Sequence, residues 1–529
     1  MGPATPPPKP EHCKRKLLPL APEERALLVL TLLLGLHALY AWSVGFHHTI
    51  SDQHGFRQAQ TALATREMLE GSPRLLYDLP IFGPPWAFPQ EFPLYQWLTA
   101  SMAAAGMPLI EAGRTLSIGF FLLSLFALWK VLDTLSVERG ARLAVASLVL
   151  SCPLYLFWPR TFLIETCALA LSLWYVYFAL QAVTERGRWA IGAGAVLGML
   201  AVMVKLTTFL PFWVFLASWF FARAWQRPTG RAHGVMPGGV LLACPVIAGC
   251  AWTELASRVN QENALLASFY FPRFLIQLVF GTLSDRLSPA LWTVVFDRIL
   301  PDTIGTVLAV PVLLGLLLVA RRYAPHAILA GALFLLSLVV FPRLHLVCNY
   351  YQAENALFLN AACGFAAYGL ICRRGAPRLA GFAVLALLAS SGIARYYGVY
   401  FPSASRDNQA PLAIARQVRR LTEAGQIIAV RGADWSSEIP FYAHRRAIMD
   451  REFPPDLLRS QVRAVSPARI GDVLSCYEAR KQSAGLDLAG QLAAIQTRYG
   501  VTMKSGLDDG QCIHYTRAEV VPGIAPRSP

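Results

Sequence analysis

Long apolar runs alternate with short polar breaks along this chain, and the runs have the length of bilayer spans. "RALLVLTLLLGLHALYAWSVGF" comes first, behind the Pro-rich, basic stretch "MGPATPPPKPEHCKRK". Ten more apolar runs follow, near 114–133, 141–158, 163–183, 189–204, 206–222, 235–253, 303–320, 326–341, 354–372 and 379–396. At ~20 residues per crossing, the pattern predicts about eleven transmembrane helices. The basic cluster ahead of the first run marks it as an uncleaved signal anchor. Residues 1–19 are then a disordered cytoplasmic tail, and residue 46 lies on the outer side. The arginines repeat that topology. Arg139, Arg142, Arg186, Arg188, Arg223, Arg227, Arg231, Arg321, Arg322, Arg373, Arg374 and Arg378 all fall in loops predicted to be cytoplasmic. Lys205 interrupts the stretch 189–222, which reads as two spans meeting outside.

Three regions are too polar or too broken to span, and all are predicted outside. The first, 46–113, is long for a connection and is expected to be functional. Within it "FRQAQTALATREMLEG" has apolar positions at helical spacing and predicts an amphipathic helix along the membrane surface. "EFPLYQWLTASMAAAG" predicts a second helix, with Pro93 in its first turn. The second region is 254–302. The third, 400–529, contains a strand pattern in "GQIIAVRG", a turn in "DWSSEIPFYAHR" and a helix in "LAGQLAAIQTRYG". "VTMKSG" and "CIHYT" are further strand candidates, so this region reads as a small soluble α/β domain. The division expected is a tail at 1–19, a membrane catalytic domain at 20–399 and the soluble domain at 400–529.

Composition agrees with a membrane protein: 55% of the 529 residues are hydrophobic and 15% charged, with mean hydropathy +0.44. The formal charge of +15 sits largely beside apolar runs, which explains it by topology and argues against nucleic acid. None of the ten cysteines forms a CxxC, so metal-ligand spacing is absent. Cys476 and Cys512 lie in the soluble region, and an oxidising compartment would join them as a disulfide.

Ionisable residues at the outer ends of the runs are the candidates for chemistry. Asp52 follows the first span. It reads either as a loop or capping carboxylate or as a general base for an acceptor hydroxyl, oriented by His54 or Arg57. Glu91 reads as a favourable N-terminal helix charge or as a functional acid. Glu165 reads as a functional acid or as a partner of Arg160. Lys205, Arg343, His345 and Tyr350 are candidates for binding a phosphate-bearing donor, with Arg57 and Gln58 as orienting or donor-binding groups. The alternatives are a bundle ion pair for Lys205, snorkelling for Arg343 and a hydrogen-bonded interfacial histidine for His345. Among transporter-like readings, a lipid-linked-sugar flippase would place charges near mid-span and repeat its halves. The acidic candidates instead gather at outer ends.

An Asp after the first span, then "FRQAQTA", then "EFPLYQWL", resembles the membrane glycosyltransferases of GT-C fold. The branch is the protein O-mannosyltransferase and lipid A aminoarabinose transferase superfamily, in its bacterial members with an "RQ-QTA" signature. The resemblance implies a mainly α polytopic fold and transfer of a sugar from a polyprenyl-phosphate donor, usually with inversion. The acceptor would be a glycan, lipid or protein on the outer face of a bacterial inner membrane. It implies Asp52 as the catalytic aspartate, Glu91 as the acid before the Pro-containing motif and Glu165 as the second acidic position. No cofactor is required by this scheme, which admits a divalent metal without needing one. The chain departs from the family pattern where Phe92 and Pro93 replace a Lys and two Pro, and where Glu165 replaces Asp.

Overall fold

The computed structural model describes residues 20–71, 74–184, 187–226, 235–270, 273–319 and 321–517. The tail 1–19 and Arg186, Arg227 and Arg231 of the topology argument lie outside them. Among the described residues, six helices are long and apolar enough to cross a bilayer, or eight if two bent pairs each count as one span. One pair, Arg139–Ser151 with Pro153–Arg160, bends by 65° where Pro153 cannot continue the ladder. The other, Pro289–Ile304 with Ala309–Leu317, bends by 75° at Gly305, whose φ is +86°. Any Cβ there would lie 2.2 Å from the backbone of Gly392, so the break also admits a close helix contact. Arg188–Val204 and Ala324–Val340 are shorter apolar helices.

The helix Pro22–Ser43 keeps Leu27, Ala38 and Ala41 inside and turns Leu32, Leu33 and Leu36 outward. Such a wide exposed leucine stripe is tolerable only against lipid. Tyr351–Ile371 is the opposite case, buried nearly all round at the centre of the bundle. The chain is a multi-pass membrane protein. One end of the bundle carries the arginine-rich loops, held together by Arg142–Asp133 (2.8 Å), Arg378–Glu23 (3.5 Å) and Arg322–Glu138. The candidate residues gather at the other end.

The C-terminal region forms a five-stranded sheet. The strands are β1 Ile427–Arg431, β2 Arg446–Asp450, β3 Ile470–Cys476, β4 Ser505–Asp508 and β5 Cys512–Thr516, in the order β2-β1-β3-β5-β4. β1 lies parallel to β2 and β3, whereas β5 is antiparallel to β3 and β4. Cys476 and Cys512 stand opposite each other in the β3–β5 ladder and are joined as a disulfide. The helical segment begun at Ala376 continues to Ser405, so the first helix of this domain is Ala410–Leu421.

The three outer regions are interlocked. Pro80–Gly83 of the first loop runs antiparallel along β2: Ala447 N–H donates to Pro80 O (2.9 Å) and Met449 N–H to Ile81 O (2.7 Å). The loop thereby covers an edge strand that would otherwise expose unpaired backbone groups. Trp435 of the C-terminal domain packs against Phe56, Phe82 and Phe88 of the first loop and Phe269 and Tyr270 of the second. Asn263 donates to the carbonyl of Gly83 (2.9 Å). This contact changes one expectation. The first-loop helix, Gly55–Glu70, forms as predicted but buries eleven of its sixteen residues. It is a strut between bundle and C-terminal domain rather than an amphipathic helix facing lipid.

Candidate active site

Asp52 is held in place from both sides. Below it, the buried Arg114 donates to the carbonyls of Gly45 (2.9 Å), Phe46 (2.7 Å), His48 (2.7 Å) and Thr49 (3.0 Å). Above it, the C-terminal domain's Tyr442 accepts from Ile50 N–H (2.8 Å), and Asp407 accepts from Thr49 N–H (2.9 Å). Asn408 donates to Ser51 O (2.9 Å). His54 then takes the left-handed conformation, φ 51°, and the first-loop helix starts at Gly55. A Cβ on Gly55 would come within 2.6 Å of Glu438 Oε1 and 3.1 Å of Ile50 O, so this turn needs its glycine.

The Asp52 carboxylate has one partner on each oxygen. Arg160 donates to Oδ2 at 2.8 Å and Gln58 Nε2 to Oδ1 at 2.5 Å. Gln58 is itself fixed by Phe162 N–H (3.0 Å). An oxygen of a carboxylate has two acceptor positions, so each can take one more donor. Arg160 is fully buried, and its Nε and Nη1 have no hydrogen-bond partner among the described residues. Buried donors are expensive to leave unpaired.

Arg57 belongs to a neighbouring cluster. It donates to Glu91 (2.8 Å), Gln90 (2.6 Å) and Gln60 (3.2 Å), and Gln96 donates to the other oxygen of Glu91 (2.9 Å). Burial works against the Arg57 charge, and the Glu91 carboxylate outweighs it, holding the guanidinium protonated. Glu91 lies three residues before the helix Leu94–Ala104, so it serves Arg57 and Gln96 rather than capping that helix. Phe92 N–H donates to Met203 O (3.0 Å), which ties this motif to the helix end beside Lys205.

Lys205 sits in the break between two helices and bridges two carboxylates, Glu165 and Glu354, each at 2.6 Å. It also lies over the rings of Tyr351 (4.3 Å) and Tyr350 (5.1 Å). Tyr350 continues to His54 (5.0 Å) and Trp158 (6.0 Å), forming an aromatic wall between the Lys205 and Asp52 clusters. Burial lowers His54 below its ordinary value, so the ring is neutral near pH 7. Beside Glu165 a small cavity of about 10 Å³ is lined by Tyr155, Trp158 and Thr166. The side-chain polar atoms Tyr155 Oη, Trp158 Nε1, Thr166 Oγ1 and Glu165 Oε2 have no partner among the described residues.

Two candidates stand apart. Arg343 pairs with Asp285 (3.0 Å) on the half-exposed second outer loop and does not reach Asp52 through any described contact. His345 is buried, and its Nδ1 shares a hydrogen bond with Gln352 (3.1 Å). Burial pushes its pKa down to about 3, so it is a neutral spacer rather than a cation for phosphate. Sequence reasoning missed Arg160 as the partner of Asp52, having placed it with Glu165, and it missed Glu354 altogether. Glu354 stands in "NYYQAEN", one turn into a buried helix, where a lone acid in an apolar run was the available signal. Among the described residues no three His, Cys, Asp or Glu side chains converge to hold a metal ion.

No protein-family model matches the chain, and no curated protein matches it in sequence. Solved structures do. ArnT from Cupriavidus metallidurans bound to undecaprenyl phosphate superposes with a TM-score of 0.60 at 14% identity, over 93% of this chain and 99% of that one. The fold is GT-C. Apo ArnT gives a TM-score of 0.55 at 12% identity, over 93% and 98%. The apo oligosaccharyltransferase of Archaeoglobus fulgidus gives 0.52 at 12% identity, over 93% of this chain and 74% of that one. A structure of that oligosaccharyltransferase in complex with Zn and sulfate gives 0.52 at 11% identity, over 92% and 73%. ArnT and the oligosaccharyltransferase are both GT-C glycosyltransferases. Identities this low establish architecture alone, and the GT-C fold leaves chemistry to be argued from the Asp52 site.

Proposed function

We propose that this GT-C protein transfers a sugar from a polyprenyl-phosphate donor to an acceptor hydroxyl at the outer face of a bacterial inner membrane. The observation that carries the reading is the Asp52–Arg160 pair: a buried carboxylate with free acceptor positions beside a guanidinium with two unpartnered donors. An acceptor O–H would bind Asp52 and give it its proton. The acceptor oxygen would attack the anomeric carbon from the face opposite the phosphate, the carbon–phosphate-oxygen bond would break, and polyprenyl phosphate would depart. A single in-line displacement inverts the anomeric configuration. The leaving phosphate is already anionic, so fixed cations stabilise the transition state. Arg160 supplies the unpartnered edge. Arg57 and Gln58 orient Glu91 and Asp52.

The orientation follows from the arginine-rich end facing the cytoplasm. The soluble domain, with its disulfide, is then periplasmic, suited to an oxidising compartment. No step is routed through a metal. The likeness to an ArnT structure bound to undecaprenyl phosphate supports a polyprenyl-linked donor.

The test is transfer by the purified protein in proteoliposomes containing a polyprenyl-phosphate sugar. Time-dependent release of polyprenyl phosphate, with an inverted product anomer by NMR, is expected. Donor lipid crossing the bilayer with no phosphate released would replace the enzyme with a flippase.

A further inference from the structure

A cavity lies away from Asp52, between the far end of the first-loop helix and the soluble domain. It measures about 460 Å³. Arg66 and Arg74 reach it from the first loop; Arg445, Arg446 and Arg469 reach it from the soluble domain, with His444 beside them. Its floor is the N-terminal edge of the parallel strands, since Gln426, Arg446 and Arg469 stand at or just before the starts of β1, β2 and β3.

The charges on its wall do not cancel. Glu67, Glu70 and Asp78 also line the cavity, which leaves five arginines against three carboxylates. Glu67 is committed to Arg446 (3.0 Å) and Glu70 lies 3.7 Å from Arg66. Arg445 bonds only neutral groups, the Thr422 hydroxyl (2.9 Å) and the carbonyls of Thr422 (2.9 Å), Ala443 (3.4 Å) and His444 (3.0 Å). Arg469 donates to Gly425 O (3.1 Å). Neither has a carboxylate partner among the described residues. Burial, and then the nearby Arg419, act against the Arg445 charge. An oxyanion in the cavity would relieve both costs, and guanidinium forks match carboxylate and phosphate geometry.

We infer that this cavity binds an oxyanion-bearing saccharide, as a distal subsite for an acceptor of more than one sugar unit. Arg66 follows Arg57 by nine residues along one helix, so the cavity lies ~14 Å from the Arg57 cluster by helical rise. It is too far to hold the reacting hydroxyl and well placed to hold another part of the same molecule. The lining is dominated by charge rather than by apolar side chains, which favours a sugar over a lipid chain. The subsite rests on the glycosyltransferase reading for its purpose, but not for its binding.

The experiment is calorimetric titration of the full-length protein in detergent with a uronic-acid trisaccharide. A neutral trisaccharide and phosphatidylglycerol nanodiscs serve as the comparison arms. The acidic trisaccharide should bind, weakening at least tenfold between 50 and 500 mM salt (roughly, for a multi-contact ionic site), and the neutral one should not. Arg469→Glu, at an exposed position, should weaken binding at least tenfold, with Arg445→Gln as the second variant should the first fail to fold. Arg343→Gln should leave binding unchanged. Equal binding of both trisaccharides, binding of the nanodiscs alone, or full affinity in Arg469→Glu would overturn the subsite. Wild-type protein that binds the acidic trisaccharide but transfers no sugar would overturn the glycosyltransferase reading and leave the subsite standing.

Discussion

Asp52 and Glu165 are both buried carboxylates beside a cation at the same end of the bundle, and their surroundings differ in kind. Asp52 sits on a loop fixed by Arg114 from the bundle and by Tyr442, Asp407 and Asn408 from the C-terminal domain. It has a cation of its own in Arg160, which still has donors to offer. Glu165 opens a membrane helix and shares Lys205 with Glu354, so two carboxylates divide one ammonium. The first arrangement leaves room for a substrate anion. The second carries excess negative charge and ties three chain segments together. On the proposed mechanism, two acids that a motif would rank alike part into a reaction site and a brace with a cation at its edge.

The largest effect should come from breaking the first pair. Arg160→Met strands Asp52 as an uncompensated buried charge, and loss of one partner of a buried pair costs about 3–5 kcal/mol. Thermal unfolding in detergent should show that loss, together with weaker binding of polyprenyl phosphate; unchanged binding would remove Arg160 from the donor site. A smaller effect is expected in the second cluster. Glu354→Gln leaves Lys205 with one carboxylate and equalises the charge. Stability should then move by less than ~1 kcal/mol, within the range of substitutions that keep buried groups paired, while transfer persists. Abolished transfer in a folded Glu354→Gln protein would make Glu354 more than a brace.

The C-terminal domain extends the comparison to a buried charge outside both clusters. His514 is enclosed by Asp472 (2.7 Å) and Asp509 (3.1 Å). Burial opposes its charge, but the two carboxylates raise its pKa from 6.5 to about 9. A raised folded-state value gives stability that is fully present below the unfolded 6.5 and is lost as pH rises through about 9. Asp509 moves the other way: burial opposes its charge, and bonds from His514, Cys512 and Gln511 lower it from 3.8 to about 2. Its contribution is present above 3.8 and is lost as pH falls through about 2. Wild-type protein should therefore lose stability between pH 7 and 9.5, and His514→Gln should flatten that slope. Parallel slopes in the two proteins would contradict the assignment.

Much of this architecture was legible in the chain because lipid imposes a simple rule on it: apolar runs of bilayer length with arginines between them. The helix count is less legible, since Pro153 and Gly305 break two runs and the shorter helices depend on packing for their depth. The strands at Ile427–Arg431 and Cys512–Thr516 stood out as short strand patterns, whereas Arg446–Asp450 and Ile470–Cys476 carry charged or polar residues that obscure them. Asp450 and Asp472 lie inside those strands because Arg498 and His514 satisfy them from elsewhere. The fourth strand is Ser505–Asp508, which shares only Ser505 and Gly506 with the stretch that pattern selected. In the site, Asp52, Glu91 and Glu165 were found as acids and Lys205 as one member of a bundle ion pair, but the partners of Asp52 and Glu91 were not assigned. Pairing between residues 108 apart, as in Asp52 and Arg160, is set by how a loop folds over a bundle and leaves no local spacing to read.

The central claim is that Asp52, not Glu165, takes the acceptor proton. Single-turnover transfer by Asp52→Asn and Glu165→Gln proteins, each shown to be folded and to bind the donor lipid, tests it directly. Removal of a positioned general base costs about 10²–10⁴-fold in rate. The account predicts that loss for Asp52→Asn with donor affinity retained, and a loss under ~10-fold for Glu165→Gln, where no proton transfer is assigned. Near wild-type transfer by Asp52→Asn, with the deep loss appearing in Glu165→Gln, would contradict it.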